Sequence, residues 1–259
     1  NSLDVDTARD LRKAGIQLAR DNSVRAVVLR GSNGIFCSGA DLKYIRAGGS
    51  SEDLTYLQPV GARVSSPAQS PHFGDIFKQI LEYIHSTISE IRRASKPFIA
   101  AVDGVAAAGG FGLAMSCDLV FASDRATFEW AYSKTGLTGA ESSTFFLPRL
   151  LGFRRAMDLL LLNPRLDAQR AYEMGLVSGV FPAATFDNNV MAIAQRIAAG
   201  PTEALGIAKA LINQAAGMDR LDMHLDRELE QLARIADGEN FAEGLSAFFE
   251  KRTPEFSER

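Results

Sequence analysis

Residues 102–116 read Val102-Asp-Gly-Val-Ala-Ala-Ala-Gly-Gly-Phe-Gly-Leu-Ala-Met-Ser116, a stretch with few large side chains. The apolar, β-branched run that leads into it, residues 97–103, predicts a buried strand. A short helix is predicted to begin at the Gly109-Gly110 pair. Where a strand runs into a helix through such small residues, a substrate can approach the backbone closely. For a single turn of this kind, tight packing of the strand against the helix is the better explanation.

A second small-residue turn lies earlier in the chain. It reads Ile35-Phe-Cys-Ser-Gly-Ala-Asp-Leu-Lys-Tyr-Ile45 and follows a predicted strand at 24–30 and the turn Gly31-Ser-Asn-Gly34. A turn of small residues between a strand and a helix leaves backbone N–H groups that can point into a cleft. The two turns together therefore predict a ligand site more strongly than either does alone.

The remaining elements predict an α/β core followed by helices. Further strands are predicted at 117–122, 126–129 and 176–181, and helices at 7–22 and 76–94. Strands that alternate with helices indicate parallel pairing. From Asp167 onward the pattern is almost wholly helical, with a helix predicted from residue 184, and we divide the chain into a core at 1–182 and a helical region at 183–259.

Two segments depart from this pattern. Residues 47–70 are rich in Gly, Ser and Pro, a composition that predicts a mobile loop. The first predicted element is the helix at 7–22, and no strand is predicted before it. Whether a strand precedes residue 1 is therefore left open.

Composition narrows the possible classes of protein. The chain has 259 residues, 46% of them hydrophobic, which is enough for one large core with a small helical appendage. Two cysteines without a Cys-x-x-Cys pair or a Cys/His cluster argue against a disulfide scaffold or a metal site and predict a cytoplasmic protein. The apolar runs are shorter than the roughly 20 residues that span a bilayer, so no membrane is expected. A net charge of -3 with mixed signs predicts no nucleic-acid partner and favours a small molecule.

Together the two turns resemble the signature of the enoyl-CoA hydratase/isomerase (crotonase) family. The first is similar to that family's F-C-x-G-A-D-L-K element. The second is similar to its A-V-x-G-x-A-x-G-G-G-x-x-L-A-x-x-C-D element, which continues here into Ser116-Cys-Asp-Leu-Val-Phe-Ala122. The likeness extends through Leu147-Pro-Arg-Leu-Leu-Gly152 to Glu243-Gly-Leu-Ser-Ala-Phe-Phe-Glu-Lys-Arg252.

The resemblance implies both a fold and a substrate. The implied fold is α/β, a crotonase-like spiral of ββα repeats with a helical C-terminal region, which we expect to serve oligomerisation as a homotrimer or a dimer of trimers. The implied substrate is an acyl-CoA thioester. Coenzyme A is then part of the substrate, and no separate cofactor is expected.

By the same resemblance, the backbone amides of Ala40 and Gly109 form an oxyanion hole for the thioester carbonyl oxygen. The assignment also has a physical basis. When a proton leaves or joins the carbon next to a thioester, charge accumulates on the carbonyl oxygen, and two preorganised N–H donors stabilise that charge. Each such donor contributes about 10²–10³ in rate in comparable sites. The positive end of the helix dipole near Gly110 adds to this effect.

Residues around the first turn are expected to hold coenzyme A. The resemblance indicates Ser38, Asp41, Leu42 and Lys43, with Lys251 as a contact to phosphate. For Lys43 and Lys251, a solvated surface lysine is an equally good explanation. Tyr132 is expected to shape the acyl pocket, with plain core packing as the alternative.

Carboxylates placed over the acyl chain would select the reaction. In hydratases of this family two glutamates share a water, and the motifs align those positions with Gly112 and Tyr132. A glycine has no proton chemistry, and a phenol with an ordinary pKa of about 10 is a poor base at neutral pH. Ordinary hydration by two glutamates is therefore disfavoured.

A single base remains in a later loop. Isomerases of the family carry an Asp or Glu where this chain has Ala140, and Glu141 follows directly. We hypothesise that Glu141 shuttles a proton between carbons of an enoyl-CoA, which shifts the double bond without water. The alternative is that Glu141 complements the dipole of a helix predicted at 142–151.

Other functions stay open at this point. A hydratase or thioester hydrolase with a non-standard site would use the same oxyanion hole, since chemistry depends on the site and not on the fold. A catalytically silent acyl-CoA binder would fit the two missing glutamates. The identity of the acyl group does not follow from the sequence.

Overall fold

The protein is described here from a computed structural model, which covers residues 1–49 and 72–257. Most of the predicted mobile loop, residues 50–70, lies outside the described residues. The first helix, α1 (Val5–Arg20), follows a single bridge between Leu3 and Ala40. No described helix combines the length and the apolar character needed to cross a membrane.

In the described ranges, eight strands form two four-stranded sheets. The first sheet has the order β1-β3-β5-β8, and all its neighbours are parallel. The second has the order β2-β4-β6-β7, in which the last pair is antiparallel. The strands of the first sheet are Val27–Arg30, Phe98–Val102, Leu119–Ser123 and Gly179–Phe181. Those of the second are Ile35–Cys37, Val105–Ala107, Thr127–Glu129 and Leu166–Asp167.

The chain alternates between the two sheets, which gives the fold its repeat. Strands β1 and β2 precede α2 (Leu42–Arg46), β3 and β4 precede α4 (Gly109–Ser116), and β5 and β6 precede α5 (Ser143–Leu151). Each repeat adds one strand to each sheet, so the chain winds as a spiral of ββα units. The predicted α/β spiral is confirmed.

The remaining helices complete the fold. They comprise α3 (Phe73–Arg93), α6 (Phe153–Leu162), α7 (Ala168–Met174), α8 (Phe186–Ala198), α9 (Thr202–Ala215), α10 (Leu221–Ala236) and α11 (Glu239–Glu250). Helices α7 and α8 contact strands of the two sheets. The apolar residues of α3 recur every three or four positions and are buried, as its sequence predicts. Helix α10 shares the main core with α3, and α8 packs through Phe186 and Val190 against Ile99 and Phe121. Oligomerisation through 183–259 stays a prediction.

The prediction that each small-residue turn joins a strand directly to a helix was wrong. The short strands β2 and β4 lie between, and three residues are too few to show a period of two. Gly104 makes the change of sheet possible, because it has a φ of 83°, and a Cβ there would lie 1.7 Å from the carbonyl oxygen of Gly34. Consecutive repeats are therefore in backbone contact where the chain passes between sheets.

Gly104→Ala should destabilise the fold far more than Gly175→Ala. Both glycines have positive φ (83° and 87°), but a Cβ at Gly175 meets nothing within 4 Å among the described residues. Left-handed strain costs about 1–2 kcal/mol in either variant, and the clash at Gly104 should add about 1–3 kcal/mol. Urea unfolding of both variants measures the difference. Equal losses of unfolding free energy would show that Gly104 is required only for its φ.

Candidate active site

The two small-residue turns lie side by side. Gly39 has a φ of 90°, and a Cβ there would lie 3.3 Å from the Gly109 nitrogen and 2.8 Å from the Cβ of Ala108. A Cβ on Gly110 would lie only 2.2 Å from the carbonyl oxygen of Cys37. The start of α4 therefore packs directly on the backbone of the first turn, and this close approach requires glycine at these positions.

Local geometry orients the two amides of interest. The Leu3 amide donates to the Gly39 carbonyl at 2.8 Å, and the Asp41 amide donates to the Leu3 carbonyl at 2.9 Å. In such a parallel bridge the intervening Ala40 turns its own N–H away from Leu3. Gly109 is the first residue of α4, so its N–H has no acceptor within the helix.

Both amides border one cavity of about 410 Å³. Its lining includes Ser38, Ala40, Asp41, Leu42 and Lys43 from the first turn, Gly109 from the second, and Tyr132 and Glu141 from later segments. Apolar walls come from Phe77, Leu137, Leu232 and Phe248. All the predicted site residues except Lys251 thus line a single space.

The two predicted lysines are placed differently. Lys43 is exposed and lies at the wall of the cavity. Lys251 is exposed just after α11, with a φ of 56°, and is absent from the cavity lining in the part of the chain described. Contacts of either lysine with phosphate stay predictions.

Asp41 shapes the first turn. Its carboxylate accepts hydrogen bonds from the amides of Lys43 (2.9 Å) and Tyr44 (3.1 Å) and from the Ser2 hydroxyl (2.8 Å). Burial works to raise the pKa of this carboxyl, but the three hydrogen bonds and the Lys43 charge outweigh it and hold the pKa below its usual value. Asp41 is therefore an ionised cap of α2.

Glu141 is buried, and its side chain is directed into the cavity. The Tyr132 hydroxyl donates a short hydrogen bond to Oε2. The other oxygen, Oε1, faces Gly109, since a Cβ on that glycine would lie 2.8 Å from it. Helix α5 begins only at Ser143, after the N-cap Ser142, so Glu141 precedes it. Its carboxyl group reaches the cavity from the loop before α5.

Gly112 explains how this loop can approach α4. A Cβ at Gly112 would lie 2.3 Å from the carbonyl oxygen of Glu141. The position that the resemblance aligns with a hydratase glutamate is therefore filled by the backbone of the segment that carries Glu141.

The family model for enoyl-CoA hydratase/isomerase matches residues 1–72 and 76–259. The chain belongs to this family. It is thus an acyl-CoA enzyme, and its substrates are CoA thioesters.

This family member resembles proteins of different activities. It is 34% identical to 4-chlorobenzoyl coenzyme A dehalogenase-2 of Arthrobacter, over 97% of this chain and 83% of that protein. It is 32% identical to 1,2-epoxyphenylacetyl-CoA isomerase of Escherichia coli, over 99% and 90%. A crystal structure of an enoyl-CoA hydratase from Mycobacterium avium subsp. paratuberculosis superimposes with a TM-score of 0.83 at 29% identity, covering 100% of this chain and 90% of that one.

The protonation of Glu141 in this acyl-CoA enzyme depends on opposing effects. Burial, the largest of them, raises the pKa of Glu141 to about 8, the charge of Glu228 also raises it, and the Tyr132 hydrogen bond lowers it. Burial and the neighbouring Glu141 raise the pKa of Tyr132 well above its usual value, so the phenol keeps its proton and donates. A carboxyl group that titrates near neutral pH can serve as a base and as an acid.

Two further residues around Glu141 were not among the predicted site residues. His85, on α3, accepts the Glu141 amide at 3.2 Å, and Glu228, on α10, accepts the Ser142 amide at 2.8 Å. Both are buried. Glu228 did carry a signal, because it falls on the buried apolar stripe of α10 between Leu225 and Leu232, where a carboxylate needs a partner.

Tyr132→Phe should raise the pKa of Glu141 above about 8, because it removes the hydroxyl that stabilises the carboxylate and keeps the ring. The carboxyl C=O band of protonated Glu141, assigned as the infrared band that disappears in Glu141→Gln, gives the titration midpoint directly. A midpoint that stays the same or moves to lower pH would contradict the assigned hydrogen bond.

Proposed function

We propose that the protein isomerises the double bond of an enoyl-CoA, with Glu141 as its single acid/base group. The observation that carries the proposal is the position of the Glu141 carboxyl group. It lines the same cavity as the amides of Ala40 and Gly109, and its Oε1 atom faces Gly109. A thioester carbonyl held by the two amides would have its neighbouring carbons next to this oxygen.

The reaction divides between the amides and the carboxylate. The N–H groups of Ala40 and Gly109 donate to the thioester oxygen, and ionised Glu141 removes a proton from the carbon chain. The electron pair left behind moves through the conjugated system onto the carbonyl oxygen, where each amide contributes about 10²–10³ in rate. Protonated Glu141 then returns the proton to a different carbon. One proton leaves and one returns, so the reaction consumes no water.

The composition of the cavity favours isomerisation over hydration. Among the described lining residues, only Asp41 and Glu141 carry carboxylates, and the Asp41 carboxylate caps α2. Gly112 has no side chain, and the Tyr132 hydroxyl is engaged with Glu141. The described lining of the cavity therefore offers no second base for the addition of water by a pair of glutamates.

Displacement of a leaving group from an aromatic acyl-CoA is a second candidate. The similarity to the Arthrobacter dehalogenase favours it, because one carboxylate could attack a ring carbon as nucleophile. The raised pKa of Glu141, about 8, favours proton transfer instead. Both reactions start from the ionised carboxylate, but only the proton shuttle also uses the protonated form, and a pKa near neutral pH suits a group that must take and return a proton.

Glu141→Gln should lower kcat for a 3-enoyl-CoA substrate by about 10³-fold or more, with KM changed by less than about threefold. The amides that hold the thioester are unchanged in this variant. Glu230→Gln makes the same change at an exposed position of α10 and should leave turnover intact. The measurement follows 2-enoyl-CoA formation by the ultraviolet absorbance of its conjugated thioester and other products by mass spectrometry, with a 2-enoyl-CoA and 4-chlorobenzoyl-CoA as parallel substrates.

The same panel separates the other functions. A product heavier by one water would support hydration, release of chloride would support the second candidate, and free coenzyme A would support a hydrolase. Binding of all the thioesters without turnover would support a silent binder. Unchanged turnover in Glu141→Gln would rule out Glu141 as the base.

The pH dependence of turnover should report on the same group. Only ionised Glu141 can remove a proton, so kcat/KM should rise with pH, with an apparent pKa of about 8, and level off above it. This rise of kcat/KM with pH should be absent from the residual activity of Glu141→Gln. A profile that is flat between pH 6 and 9, within about twofold, would show that another group accepts the proton.

A further inference from the structure

The backbone at Glu141 has an unusual conformation. Glu141 and Ser142 are consecutive non-glycine residues with positive φ, 48° and 63°. L-residues avoid this region, and such backbone persists where its surroundings hold it. The conformation turns the chain so that the Glu141 side chain enters the cavity while α5 starts one residue after Ser142.

Two buried side chains accept hydrogen bonds from the backbone amides of the segment that carries Glu141. His85 Nε2 accepts from the Glu141 amide at 3.2 Å. Glu228 accepts from the Ser142 amide at 2.8 Å through Oε2, and from the Thr144 amide at 3.1 Å and the Thr144 hydroxyl through Oε1. The amides at the start of α5, which no helical carbonyl can satisfy, thus find their acceptor on another helix.

We propose that Glu228 and His85 are positioning residues, which hold Glu141 in its left-handed conformation with the carboxyl group facing Gly109. The proposal rests on the proposed function only where it makes Glu141 the base. Neither His85 nor Glu228 lines the cavity described for the thioester, so both act through Glu141.

The chemistry of His85 suits this role. Its Nε2 atom accepts a hydrogen bond from the Glu141 amide, so the ring is neutral and carries its hydrogen on Nδ1. Burial lowers the pKa of His85 to about 4, against the opposing charge of Glu228, whose Oε2 lies 3.9 Å from Nε2. His85 Nε2 therefore remains a hydrogen-bond acceptor through the pH range in which Glu141 titrates.

Glu228 adds an electrostatic effect. Its charge is one of the causes that raise the pKa of Glu141, and it also acts on Tyr132. The other titratable groups that face it are His85 and the partly exposed His224, whose Nε2 lies 3.6 Å from Oε1 of Glu228 and 2.8 Å from the Thr144 hydroxyl. Since α3 and α10 pack along each other, both acceptors come from a rigid pair of helices.

Glu228→Gln removes the charge and replaces one carboxylate oxygen with an NH2 group. This NH2 group is a donor, and it would face the backbone amide of Ser142 or Thr144. The infrared titration midpoint of Glu141 should then move to lower pH by on the order of one unit. The kcat should fall about 10²-fold with little change in KM, as expected for a misplaced base. Glu230→Gln, the exposed control on the same helix, should change neither quantity.

A pair of variants at His85 tests position without changing charge. His85→Leu leaves the Glu141 amide without an acceptor and should lower kcat about 10²-fold. His85→Gln retains a side-chain acceptor and should restore most of the loss. Variants are compared where near-ultraviolet circular dichroism matches that of the parent protein. If Glu228→Gln does not fold, the His85 pair decides.

An unchanged Glu141 midpoint in Glu228→Gln, or equal loss of kcat in His85→Leu and His85→Gln, would overturn the proposal. The infrared midpoint needs no substrate. If the parent protein turns over no enoyl-CoA, the proposed function fails, while the shift in midpoint still decides whether Glu228 acts on Glu141.

Discussion

The site depends on the absence of side chains at three positions near the start of α4, namely Gly109, Gly110 and Gly112. A Cβ at Gly109 would meet the Glu141 carboxyl group, one at Gly110 would meet the Cys37 carbonyl, and one at Gly112 would meet the Glu141 carbonyl. Three segments that are distant in sequence therefore touch through backbone atoms. This contact places Ala40, Gly109 and the Glu141 carboxyl group around one cavity, and they could not be so close if α4 carried side chains at these three positions.

The same contact bears on the number of carboxylates. The resemblance aligns Gly112 with a glutamate of the hydratases, and in this chain the Glu141 backbone occupies the space that such a side chain would need. A glutamate at position 112 and the present path of the Glu141 loop are sterically incompatible. The chain has a carboxyl group that enters from the loop and lacks one that enters from the helix, which is the basis for proposing a single base.

Much of this could be predicted from the sequence, for physical reasons. The strand at 97–103 and the helix at 76–94 bury regular apolar patterns. The two small-residue turns carry motifs that indicated Ala40 and Gly109, and a later loop, aligned by the same resemblance, indicated Glu141. Strands β2 and β4 were missed because three residues show no period. His85 and Glu228 contact the Glu141 segment across 56 and 86 positions of sequence. No local pattern encodes such contacts, nor the left-handed backbone they satisfy.

A proton shuttle places opposite demands on its base. In the proposed reaction Glu141 must be ionised to take the proton and acidic enough to return it, so a pKa far from neutral in either direction would slow one of the two steps. Burial alone would keep the carboxyl group protonated, and the Tyr132 hydroxyl, which stabilises the carboxylate, limits that effect. The apolar walls that admit an acyl chain are thus compatible with a working base because a phenol, itself too weak an acid to ionise there, remains beside it as a donor.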